Sequence, residues 1–138
     1  MKFRVRVAVP LLVGVIACGT AKREAGSLVA AVDRFHRAEN SAKPARADEV
    51  AVVACRDAEV CEAKKLCTDA TGQMAAGLRL SSEVQAKMSD LEAGTLDRGE
   101  VSALTAKLED AGRLHREGYH AMLACDGKVT ALRLKYGL

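Results

Sequence analysis

Two long apolar repeats at alternating spacings of three and four constrain this chain more than anything else in it. The first runs through Cys67, Ala70, Met74, Gly77, Ser81, Val84, Met88 and Leu91. The second runs through Val101, Leu104, Leu108, Ala111, His115, Gly118, Met122, Cys125, Val129, Leu132 and Tyr136. That period is a helix seam of coiled-coil type. Only Ala93-Gly94-Thr95-Leu96-Asp97-Arg98-Gly99 separates the two, and a short connection makes neighbouring helices antiparallel. The expected helices run from Asp57, a suitable N-cap, to Glu92, and from Glu100 to Lys135.

The register follows from the same repeats. In an antiparallel pair the residue numbers of facing positions add to a constant total set by the loop centre. Centring the turn on Leu96 sets Cys67 opposite Cys125, and every other seam residue then meets a seam residue. Met74 meets Gly118, Gly77 meets His115, and Val84 meets Leu108, large mostly against small near the cysteines. A Cys67–Cys125 disulfide is therefore expected. Pairing Cys61 with Cys125 would instead push the turn to Ala93 and set Cys67 against Tyr119, off the seam.

Upstream, Leu28, Val32 and Phe35 make one apolar stripe of a helix ending near Asn40. Ser41-Ala-Lys-Pro44 marks a turn, and Asp48–Ala54 suits a short second helix with Val50 and Val53 inward. No run of alternating β-branched residues appears. The expected fold is all-α: a long antiparallel hairpin completed by one or two N-terminal helices into a three- or four-helix bundle. Within the last helix, Asp126-Gly127 is expected to loosen the turn locally.

The start of the chain has a different character. Lys2, Arg4 and Arg6 precede an eleven-residue apolar run, Val7–Ala17, that Pro10 interrupts. It is too short to cross a hydrocarbon core of about 30 Å and has the layout of a secretory signal. Val15-Ile16-Ala17-Cys18 resembles the lipobox of bacterial lipoproteins, with Val15 where leucine is usual and Ile16 where a small residue is. The resemblance implies that Cys18 receives a diacylglyceryl group and that residues 1–17 are removed. Gly19 to Ser27 is mostly small and polar, so 18–27 reads as the lipidated cysteine and a short flexible tether to a domain at 28–138. Gly19, where some lipoproteins carry an inner-membrane retention Asp, favours the outer membrane facing the periplasm. Ordinary signal cleavage at the same bond is the alternative, and would leave Cys18 an exposed thiol.

Cysteine parity favours acylation. Taking Cys18 from the five cysteines leaves Cys55, Cys61, Cys67 and Cys125, an even set in a compartment where disulfides persist. Cys55 falls just outside the helix that Asp57 caps and Cys61 at its fourth position, close to where a hydrophobic staple makes contact, so these two are the second expected bridge. Five residues separate Cys55 from Cys61 and Cys61 from Cys67, more than zinc sites usually have, and no metal site is expected. No CxxC redox pair occurs.

Charge excludes another class. The chain has 21 Lys and Arg against 18 Asp and Glu, and three of the basic residues lie in the signal. The mature chain is balanced, which argues against nucleic acid as a partner. Aromatics are 3% with no Trp, so stacking platforms are scarce. No nucleophile elbow, P-loop or dinucleotide glycine pattern appears, and no enzyme is expected. His36 reads as a surface residue. His115, on the seam opposite Gly77, reads as a partly buried ring. A small-ligand or haem-binding bundle with His115 and Met74 as axial ligands is the alternative function, although no haem-attachment motif exists and no cofactor is required. The Cys55–Cys67 segment and the late Cys125-Asp126 are similar to uncharacterised helical lipoproteins of GC-rich Gram-negative bacteria. The leading expectation is a membrane-anchored structural or protein-interaction module with an envelope partner.

Overall fold

The computed structural model describes the backbone from Gly14 to Leu138 and side chains from Gly19. Of the export signal expected at 1–17, residues 1–13 lie outside the described residues and the backbone of 14–17 belongs to α1 below; the Cys18 side chain expected to be acylated also lies outside them. Five helices follow in order: α1 (Gly14–Arg37), α2 (Lys43–Ala51), α3 (Ala58–Ala86), α4 (Met88–Glu92) and α5 (Arg98–Tyr136). No strand occurs among the described residues. The fold is the expected disulfide-stapled all-α bundle.

The hairpin has the register read from its seam. Cys67 and Cys125 are joined by a disulfide with Cα atoms 4.7 Å apart. A Cβ placed on Gly77 would lie 3.0 Å from the Ala111 carbonyl oxygen and 3.4 Å from the His115 nitrogen, so the backbones nearly touch there. Ion pairs flank the seam in the same register: Lys107 with Glu83 at 2.6 Å, Lys128 with Glu62 at 2.9 Å, and Lys135 with Glu59. Asp57 caps α3, its carboxylate accepting from the backbone N–H groups of Glu59 and Val60 at 3.0 and 3.1 Å. The Cys55–Cys61 disulfide, with Cα atoms 5.3 Å apart, fastens the chain just ahead of that cap.

α1 runs parallel to α3 and antiparallel to α5. Asp33 pairs with Arg133, and His36 Nε2 lies 2.9 Å from Asp126 Oδ1. Leu28, Val32 and Phe35 enter a core with Val50 of α2, Val60 and Ala63 of α3, and Met122, Val129 and Leu132 of α5. The helix begins earlier than the stripe at 28–35 implies. Ala21 and Ala25 are buried and continue the stripe backwards, so 19–27 is helix rather than tether. α1 also stops at Arg37, short of Asn40.

α2 is displaced from the expected 48–54, because Pro44 starts it as well as marking a turn. Proline is tolerated in the first turn, where its missing N–H has no partner to lose. The first hairpin helix is not continuous to Glu92. Lys87 N–H donates to the Val84 carbonyl at 3.0 Å, a tighter bond that divides α3 from α4. After α4, Gly94 takes φ +67°, and Asp97 with Glu100 forms a reciprocal capping box that starts α5. Asp126-Gly127 does not interrupt α5, whose helix is continuous through both.

Candidate functional site: an uncovered helical arm

The bundle occupies only half the length of the hairpin. None of residues 78–110 is buried, whereas the core lies wholly in the other half. α1 ends before this stretch, and α2 meets it only at its base, where Asp48 lies 3.8 Å from Arg79. Beyond Gly77 and Ala111 the chain is a bare two-helix arm, each side about fifteen residues or roughly 20 Å long.

One stripe of α5 records the change. Val101, Leu108, His115, Met122 and Val129 recur every seventh residue and so share one side of the seam. In the bundle, Met122 and Val129 are 5% and 3% exposed. On the arm, Val101 and Leu108 are 37% and 57% exposed, and Leu91 across the hairpin from Val101 is exposed as well. The position is apolar at 101 and 108 as it is at 122 and 129, and what the arm lacks is cover; His115, between the two pairs, is polar and exposed. A second feature of the arm is a cleft of about 380 Å³ with Ala86, Leu96, Ala103 and Leu104 in its walls and Glu83, Lys87, Glu100 and Lys107 around its rim. Apolar walls inside a mixed-charge rim are a pattern that protein contacts also have.

The histidines are placed differently from one another. His36 is on the surface as expected, but it has a partner in Asp126 and links α1 to α5. His115 is exposed, not the partly buried ring its seam position implied. The near contact of Gly77 with the Ala111 and His115 backbone leaves no space between the helices for an imidazole. Met74 is half-buried and packs against Gly118 inside the core. The pair proposed as haem ligands is thus divided between solvent and core. Among the described residues no group of three His, Cys, Asp or Glu side chains could hold a metal ion. The four cysteines after Cys18 are consumed by the two bridges.

Sequence reasoning identified the stripe but not its exposure. The signal that could have found it is length: the α1 and α2 segments are too short to cover a hairpin whose second helix alone has 39 residues. Among the described residues no helix is long and apolar enough to cross a membrane. Compared with known protein families, characterised proteins and solved structures, the chain matches none.

Proposed function

We propose that this chain is a lipid-anchored envelope protein, acylated on Cys18 and facing the periplasm, whose helical domain is a non-enzymatic interaction module. The observation that carries the interaction role is the single α5 stripe, covered in the bundle and bare on the arm. An envelope protein that lays a helix or sheet face over Val101 and Leu108 would complete there what α1 completes below. The lipid anchor is supported by the Val15–Cys18 motif and by the pairing of the other four cysteines with one another, which suits an oxidising compartment.

A photo-reactive amino acid at Leu108 tests the arm, with Leu134, 81% exposed in the bundle, as control. The expected result is one discrete adduct from Leu108 in intact cells and none from Leu134. Equal or absent adducts at both positions would reject the arm as the contact. The anchor is tested separately by metabolic labelling with a clickable fatty acid, which should mark the wild-type chain and not Cys18→Ser.

A further inference from the structure

At the end of the bundle opposite the arm, residues 19–27 of α1, the 52–56 segment and the last turn of α5 come together. Glu24 of α1 reaches the backbone N–H groups of Arg56 and Asp57 at 2.7 and 3.1 Å, and Leu138 lies beside Gly26. Two adjoining clefts open here and share Arg23, Ser27 and Val53 in their walls. Lys22 lines one and Arg56 the other.

The charges at this end are not balanced locally. The Glu24 carboxylate is committed to the start of α3, and Arg34 is paired with Glu49. The side-chain cations of Lys22, Arg23 and Arg56 are exposed and have no acidic partner among the described residues. Apolar side chains share this end: Val53 lines both clefts and Leu138, 45% exposed, lines one, while Val52, next in sequence to Val53, is 79% exposed. Long cationic stems around bare aliphatic side chains suit a boundary between headgroups and acyl chains. Gly19, the residue after Cys18, stands in the wall of one of these clefts.

We infer that this end of the bundle is a seat for an anionic lipid surface. Lys22, Arg23 and Arg56 meet headgroup phosphates, and Val52 and Leu138 meet the acyl boundary. Free phosphate would satisfy the cations but leave the apolar side chains in water, whereas a bilayer surface answers both. The inference rests on the lipid-anchor reading, which brings a membrane within reach of the clefts. It adds an orientation: α5, with 39 residues and so about 58 Å long, stands away from the surface and carries the arm outward.

The test uses the acylated protein purified from membranes, with a donor dye on Thr95→Cys in the tip connection and an acceptor in the headgroup layer of vesicles. On phosphatidylcholine containing phosphatidylglycerol, energy transfer is expected to be at least about twofold lower than on phosphatidylcholine alone, because charge holds the rod upright. The triple variant Lys22→Glu, Arg23→Glu, Arg56→Glu should raise transfer on the anionic vesicles to the neutral-vesicle level, and added inorganic phosphate should not. Equal transfer on the two vesicles for the wild-type dyed protein would overturn the seat while leaving the anchor standing. Charge-dependent transfer from a protein found to carry no acyl group would keep the seat and retract the anchor.

Discussion

Gly118 lies so close to Met74 that a Cβ on it would come within 2.6 Å of the Met74 side chain and 2.9 Å of its backbone nitrogen. The second distance is to backbone and cannot be relieved by a rotamer change. Gly118→Ala should therefore force the helices apart and cost about 1–3 kcal/mol. Gly72, inside the same helix as Met74, has nothing within 4 Å of its Cβ position. Gly72→Ala should stabilise by up to about 1 kcal/mol through helix propensity alone. Urea unfolding of the two variants should thus move in opposite directions, and a shared direction would contradict the packing described.

The Cys67–Cys125 bridge spans 58 positions of sequence. In the chain-entropy account a loop of that size contributes about 4 kcal/mol. The double variant Cys67→Ala, Cys125→Ala should melt well below the wild type under oxidising conditions and close to it after reduction. Calorimetry with and without a thiol reductant measures both, and coincident melting under oxidising conditions would exclude the bridge as a source of stability.

Residues on one stripe should respond differently according to cover. Met122→Ala removes a side chain only 5% exposed and should cost about 2–5 kcal/mol. Leu108→Ala, at the same position of the repeat two turns-of-seven earlier, removes one that is 57% exposed and should stay within about 1 kcal/mol. Thermal melts of the isolated protein decide this. A large loss at Leu108 would mean that the arm is covered in solution.

Acid should loosen the contact between α1 and α2. The Arg34 hydrogen bond holds the Glu49 carboxyl below its usual 4.5; burial opposes this and Arg46 adds to it. A group whose pKa is lowered on folding stabilises the fold above its unfolded value and loses that contribution as pH falls through the folded one. The pair is exposed and its contribution is small. Glu49→Gln should flatten the stability profile below about pH 5 and leave its shape near neutrality unchanged. An unaltered acid limb in the variant would assign that limb to other carboxylates.

Much of the hairpin was legible because an antiparallel register is a rigid constraint: Cys67 opposite Cys125 fixes Gly77 and Gly118 at the close approach, and the structure has both there. Asp57 as a cap made Cys55–Cys61 legible for the same kind of reason. The rest depended on information that spacing does not carry. Ala21 and Ala25 read as a polar, flexible lead because their small side chains give little apolar signal, yet they are buried. Pro44 marks the turn that the structure has at 40–42, but spacing alone does not show that the same proline also opens the helix that follows. The arm is the clearest case. Val101 and Val129 obey one repeat, and whether such a position is core or surface depends on how far separate helices extend along it.

The bridge between Cys67 and Cys125 lies inside the bundle, below the root of the arm, and the connection around Gly94 lies at the arm's exposed end. A protease that nicks this connection would leave two chains still joined by one covalent bond, with the core contacts around that bond in place. Such a molecule would migrate as a single species until a reductant separates it into halves. The arm can thus be processed at its end while the bundle keeps its place, and a search for cleavage on non-reducing gels would miss the event entirely.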